Sequence, residues 1–252
     1  MDYLAKKNEH KRDASITFDE GPHIYTINGD SNYTSVTTWV HSHFEPFNAD
    51  TIISRMMNSP NWPKSKYFGQ SVEEIKQGWE KNRDEAARAG TAMHLDIEKY
   101  YNKVPVTNDS IEFQYFKNFE KAFPDLVPFR TEWMIWDVEL MFAGSVDMVY
   151  INEDGSISIF DWKRSKQIKK TSGNWMKTSI TPCISHLPDS NFWHYALQLN
   201  TYKAIIERNY GFKVKDLVLI CLYPENDNYQ YISVPNLQLE VAELFEIRKA
   251  QI

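Results

Sequence analysis

From Phe129 to Lys163 the sequence pattern shifts toward a period of two, in three strand-like segments, 129–137, 140–151 and 156–163, joined by "DVE" and "NEDGS". A period of two over such short runs predicts strands, and connections this tight predict an antiparallel meander. The meander carries an oddity. In "FAGSVDMVYINEDGSISIFDWKRSK", residues 142–166, Asp147 and Asp161 stand almost alone among strand-forming residues, and Lys163 follows the second acid by two positions.

The flanking sequence supplies helices. Residues 49–58, 72–103 and 109–123 have helical spacing, with an interruption expected at Gly90 and a stop at Pro124. Ahead of them, 14–27 reads as two short strands broken at Gly21-Pro22, and "NGDSNY" is a turn leading into "TSVTTWV", so a small N-terminal hairpin is expected. Residues 60–70 read as a loop. After the meander, 190–211 is a helix with Ser190 as N-cap and Gly211 as its stop. "DLVLICLY", 216–223, is apolar enough for a strand buried on both faces, and a further strand (229–234) and helix (238–250) follow. The fold class expected is therefore α/β (α+β): a central mixed β-sheet flanked by helices, with a helical N-terminal half. With 252 residues, 42% of them hydrophobic, a single domain is expected. Its parts are an extension over 1–85, a core over 86–235 and a C-terminal helix over 236–252.

Charge and cysteine content narrow the chemistry. A formal net charge of −6 argues against general affinity for nucleic acid, so binding of that kind needs a local patch. One exists: from Trp162 to Pro188 there is no acid, while Lys163, Arg164, Lys166, Lys169, Lys170 and Lys177 all fall inside the window. A solvated basic loop has the same composition. Two cysteines, Cys183 and Cys221, are too few for a disulfide framework or a four-thiolate cluster. The polar start "MDYLAKKNEHKRD" is unlike a signal peptide, and no apolar run reaches membrane-spanning length. A soluble, intracellular protein without a membrane partner is expected.

Pairing across "NEDGS" can bring Asp147 and Asp161 together at one end of the sheet, where two carboxylates repel unless a cation lies between them. Oxygen ligands of this kind favour Mg²⁺ or Mn²⁺. Lys163 shares a strand face with Asp161 and can neutralise charge developing on a phosphate. In "GTAMHLDIEKYY", His94 and Glu98 lie one helical turn apart, a spacing that fits a ligand with its supporting partner and equally an ordinary surface pair. Glu132, in "EWMIW", needs a partner if it faces inward. Gln198 and Tyr202 again lie one turn apart.

Together these pieces resemble the PD-(D/E)XK nuclease superfamily and its branch of RecB-type exonucleases. The resemblance spans roughly residues 86–223 and rests on "GTAMH" with His94, "GSVDMV" with Asp147, "DWK" with Asp161 and Lys163, and the Q-x-x-x-Y element at Gln198 and Tyr202. It implies a restriction-endonuclease-like core in which His94, Asp147, Asp161 and the Trp162 backbone carbonyl bind Mg²⁺ or Mn²⁺. Lys163 would assist the attacking water, Gln198 and Tyr202 would place the scissile strand, Glu132 would be an accessory acid and Glu98 a support. Some relatives hold an iron–sulfur cluster on four cysteines; two cannot hold one here. The activity implied is hydrolysis of DNA, with a single-stranded or end-bearing strand as partner. Arg164, Lys166, Lys169, Lys170, Lys177 and Trp175 would contact it, and Phe192 and Trp193 would stack on bases. A structure- or site-specific endonuclease and a non-catalytic DNA-binding module remain as alternatives.

Overall fold

The computed structural model describes residues 1–173 and 176–252. The chain divides into two compact units, 46–92 and the remainder, 1–45 with 93–252. In the larger unit a short helix α1 (Tyr3–Lys7) precedes a hairpin of β1 (Ile16–Asp19) and β2 (Ile24–Ile27), paired from Ile16↔Ile27 to Asp19↔Ile24. The segment "TSVTTWV" then splits into β3 (Thr34–Ser35) and helix α2 (Val36–His41). Ser35 makes the switch: its Oγ accepts from the Thr38 amide at 3.1 Å and so satisfies one of the free donors of the first turn.

The smaller unit holds helix α3 (Ala49–Met57) and the first part of α4 (Val72–Tyr101). Ser71 and Glu74 form a reciprocal cap. The Ser71 amide donates to Glu74 Oε2 at 2.7 Å, and the Glu74 amide donates to Ser71 Oγ at 3.2 Å. The interruption expected at Gly90 does not occur, and α4 runs unbroken to Tyr101. A glycine in a helix costs about 1 kcal/mol. Burial of Met93, Ile97 and Tyr101 in the next turns outweighs it, at about 1.5–3 kcal/mol for each large apolar side chain.

The rest of the larger unit follows in the order expected: α5 (Ile111–Ala122), β4 (Val127–Asp137), β5 (Phe142–Ile151), β6 (Ile157–Lys163), α6 (Asn191–Asn209), β7 (Val214–Cys221), β8 (Gln230–Ser233) and α7 (Gln238–Lys249). β4, β5 and β6 form the antiparallel meander. β7 joins β6 in parallel and β8 closes the far side, while β3 runs parallel to β5 at Thr34↔Phe142. The result is a mixed α+β structure whose central sheet is flanked by helices. The apolar run in β7 is buried from Val218 to Cys221, as its composition requires.

Each face of this sheet has its own core. Val36 and Val40 of α2, Leu197 and Ile205 of α6, and Val241 and Phe245 of α7 pack with Phe142, Val146, Val149 and Ile159. On the other face Met93, Ile97, Phe116 and Phe119 cover Met148, Tyr150, Phe160 and Trp162. Strict alternation would put Val146 and Met148 on one face; instead Val146 shares a core with Val149, three residues on. The β4–β5 ladder shows the same dislocation. It passes from Trp133↔Val146 to Thr131↔Met148, and between them Glu132 and Asp147 stand opposite each other outside the ladder. Glu132 has φ +42°, a left-handed conformation that a residue with a Cβ adopts only at a cost of order 1–3 kcal/mol.

The N-terminal segment lies along β4. Asn8 Nδ2 donates to the Phe129 carbonyl at 2.7 Å, and an Arg12 guanidinium nitrogen donates to the Trp136 carbonyl at 2.8 Å while the group lies 3.6 Å over the Trp136 ring. Asp13 receives both the Arg130 guanidinium, at 2.7 Å, and the Trp133 indole N–H, at 3.0 Å.

Two features of the packing lead to measurable outcomes. A Cβ on Gly144 would lie 2.7 Å from Tyr202 Cε1 and 3.0 Å from its hydroxyl, and Tyr202 is buried. Gly144→Ala should therefore cost about 1–3 kcal/mol in denaturant unfolding, and should cost much less in a Tyr202→Leu background, since the clash has one partner. Equal costs in both backgrounds would refute the clash. The second feature is His43, which is buried, with Nδ1 2.9 Å from Thr181 Oγ1 and Nε2 without a hydrogen-bond partner among the described residues. Burial pulls its pKa down from 6.5 to about 4. The unfolded chain then takes up a proton that the folded one refuses, so the full stability is present above pH 6.5 and falls as pH drops toward 4, by about 3 kcal/mol. His43→Gln should flatten the dependence of unfolding free energy on pH across that window.

Candidate metal centre

The dislocation at Glu132 and Asp147 is where the chemistry gathers. The β5–β6 ladder ends at Met148↔Phe160, so Asp147 and Asp161 both lie one residue beyond its last pair, where the two strands part. α4 brings His94 to the same place. His94 Nδ1 is 3.4 Å from Asp147 Oδ2 and 3.9 Å from Glu132 Oε1. Among the described residues, His94, Glu132 and Asp147 form a group whose ligand atoms all lie within 4.8 Å of one another. Supporting bonds hold the acids in place: Ser145 Oγ donates to Glu132 Oε2 at 2.8 Å, and the Trp162 amide donates to Asp147 Oδ2 at 3.0 Å.

Asp161 and Lys163 share a face of β6, as their spacing predicts, and they meet. The Lys163 ammonium is 2.6 Å from Asp161 Oδ2. The carboxylate is buried, so the ammonium is its charge partner inside the fold. The ammonium also lies 4.5 Å from the centroid of the Tyr195 ring. On α6, Gln198 Nε2 donates to the Tyr202 hydroxyl at 3.1 Å, and Tyr202 reaches β5 through the space left by Gly144. Glu98 is half-buried one turn beyond His94.

The titrating groups show the strain of this arrangement. Burial pulls the His94 pKa down, but Asp147 and Glu132 overcome it and hold the imidazole at about 9. Burial raises Asp161 to about 6, aided by repulsion from Asp147 and opposed by Lys163. Asp147 is raised by burial and further by repulsion from Glu132, against the pull of His94 and Lys163. Burial disfavours the Lys163 charge, but Asp161 and Asp147 more than cancel this, so its pKa rises and it stays an ammonium. Glu98 is raised by burial and by Glu132.

These residues suit a hard divalent cation. One imidazole nitrogen and two carboxylates converge, and a third carboxylate, Asp161, lies buried beside them against the Lys163 ammonium. The ligand set expected from sequence was His94, Asp147, Asp161 and the Trp162 carbonyl. The structure groups His94 and Asp147 with Glu132, and places Asp161 against Lys163. Glu132 is thus closer to the centre than its expected accessory place. Ser145, Tyr195 and Gly144 also belong to the site, and the sequence alone assigned them no role. Tyr195 lies a turn before Gln198 on α6, and the need of a buried lysine for a neighbour is the one signal that could have found it.

The basic stretch is partly committed. Arg164 Nε donates to Glu112 at 2.8 Å in a largely buried pair. Lys166 pairs with Glu225 at 2.7 Å and Lys177 with Glu45 at 2.5 Å, both exposed. Lys169 and Lys170 are exposed, the latter 4.8 Å over the Phe192 ring. Phe192, expected to stack on bases, is instead buried in the core, because α6 turns its first apolar residue onto the sheet. Trp193 is half-buried and donates its indole N–H to the Lys170 carbonyl at 2.9 Å. Trp175 lies outside the described residues.

No family model matches the sequence, and no curated protein matches it at a significant level. Among solved structures, a protein designated SSO0001 overlays with a TM-score of 0.36 and 14% identity, covering 100% of this chain and 85% of its own. A structure from Eubacterium rectale named "Putative exonuclease" overlays with a TM-score of 0.36 and 11% identity, covering 87% of this chain and 79% of its own. Overlays this loose carry no argument about the chemistry, which rests on the residues themselves.

Proposed function

We propose that this chain is a divalent-metal-dependent DNA nuclease that hydrolyses phosphodiester bonds from a strand end, with a core of the PD-(D/E)XK type in its RecB-exonuclease branch. The observation that carries the reading is the convergence of His94, Glu132 and Asp147 beside the Asp161–Lys163 pair. Mg²⁺ or Mn²⁺ would be held by His94, Glu132 and Asp147, with Asp161 and the Trp162 carbonyl as the remaining oxygen donors. When bound, such an ion supplies positive charge at the scissile phosphate and makes water more acidic. Lys163, permanently charged, offers its ammonium to the oxygens that gain charge as water adds to phosphorus and the bond to the departing oxygen breaks. Gln198 and Tyr202, fixed to each other and to β5, orient the strand.

The surrounding cations suit a phosphate backbone. Ion pairs as exposed as Lys166–Glu225 and Lys177–Glu45 are worth about 0–1 kcal/mol, so an arriving phosphate can replace the carboxylate. Lys169 and Lys170 are already in solvent. Arg164 is held more firmly and positions α5 as much as it contacts DNA.

Linear and covalently closed single-stranded DNA, incubated with Mg²⁺, Mn²⁺ or EDTA, test the proposal. Linear strands should be degraded only with the metals, and circles should resist. Asp147→Asn and Asp161→Asn should abolish cleavage. Lys163→Ala should lose at least about a hundredfold in rate while retaining DNA binding. Full activity in Asp161→Asn would remove the assignment, and circles cut as fast as linear strands would make the enzyme an endonuclease.

A further inference from the structure

Beyond Lys163, helices α2 and α6 run antiparallel and meet in two polar rungs one helical turn apart. In the inner rung Gln198 Nε2 lies 3.4 Å from Thr37 Oγ1. In the outer rung the rings of His194 and His41 have centroids 5.3 Å apart. Thr37 and His41 are four residues apart on α2, as are His194, Gln198 and Tyr202 on α6, so each set occupies one face. The inner rung leads to the metal-binding strand, since Gln198 is bonded to Tyr202 and Tyr202 packs on Gly144.

The outer rung has the chemistry of an anion site. His194 Nε2 lies 2.9 Å from Asp189 Oδ1, which fixes the ring, and Phe44 covers it with centroids 4.0 Å apart. His41 is exposed. Two charges act on the His41 ring: the Asp189 carboxylate, which favours its protonation, and more weakly the Lys163 ammonium, which opposes it. α2 has no acid, and α6 has none before Glu207. A clip tying the start of α6 to the preceding turn needs only Asp189 and His194, and leaves the exposed His41 ring against them without a purpose.

We propose that His41 and His194 form a phosphate subsite that holds the phosphodiester next to the scissile one on a single nucleic-acid strand. The proposal rests on the nuclease reading above and extends its site along α2 and α6. Imidazole suits this role, because it donates a ring N–H when neutral and gains charge when a phosphate arrives, and Asp189 stabilises the imidazolium so formed. Both histidines are positioning residues, remote from the bond that breaks.

The test is binding in EDTA, where no cleavage intervenes, of a short fluorescent oligothymidylate to the full chain. His41→Ala should weaken binding about tenfold and flatten the salt dependence by up to about one unit, the share of one phosphate that is no longer neutralised, with the thermal midpoint unchanged. His41→Lys should restore both. The ring signals of His41 and His194 in NMR spectra should shift with the oligonucleotide and not with inorganic phosphate at equal phosphate concentration. Wild-type affinity in both His41→Ala and His194→Gln, an equal shift with inorganic phosphate, or failure of the wild type to bind the strand would each overturn the subsite. Metal-dependent cutting with unchanged binding in both variants removes the subsite alone. Strand binding and ring shifts without any cutting remove the nuclease reading and leave the subsite standing.

Discussion

Repulsion among Glu132, Asp147 and Asp161 is the constraint that the larger unit is built to contain. Three carboxylates share the point where β4, β5 and β6 lose their regular pairing, and among the described residues His94 and Lys163 are the cations set against them. The two cations arrive from opposite sides of the sheet, His94 on the helix that covers Met148 and Trp162, Lys163 on the face that packs against α6. Neither core alone would hold the arrangement. Removing one member of a buried charge pair typically costs about 3–5 kcal/mol because its partner is left uncompensated, so the acids and their cations persist only as a set.

Exposure is graded across the set. Asp161 is 2% exposed, Asp147 13%, His94 28% and Glu132 36% at the side chain. The interior end is fixed by Lys163 and the open end by a strained backbone at Glu132, held by Ser145. A group that must meet a charged substrate belongs at the open end, and a group whose charge must not vary belongs at the closed one.

Much of this was legible in the sequence. The meander followed from a period of two and short turns, α6 from its apolar spacing and its stop at Gly211, though Ser190 at its start makes no capping hydrogen bond, and β7 from an unbroken apolar run. Asp161 and Lys163 had to share a face because they are two apart on a strand. What escaped was whatever depends on a break in regularity or on distant partners. Nothing in "EWMIW" announces a left-handed glutamate, so the face change that brings Glu132 to Asp147 had no signal. The pairings of Arg164, Lys166 and Lys177 with Glu112, Glu225 and Glu45 join residues about 50 to 130 positions apart, beyond any local pattern. Gly90 and Phe192 failed for the same reason: core packing overrode the local expectation.

The N-terminal segment along β4 has a consequence for the chain in company. Among the described residues β4 pairs with β5 on one side only, and a strand margin left bare is a template on which other molecules can add and aggregate. Here the carbonyls of Phe129 and Trp136 are taken by the side chains of Asn8 and Arg12, and the Trp136 amide by the Tyr210 hydroxyl. Side-chain groups occupy these backbone sites without themselves presenting a further strand, so the sheet ends where these residues seal it and growth from molecule to molecule along that margin is blocked.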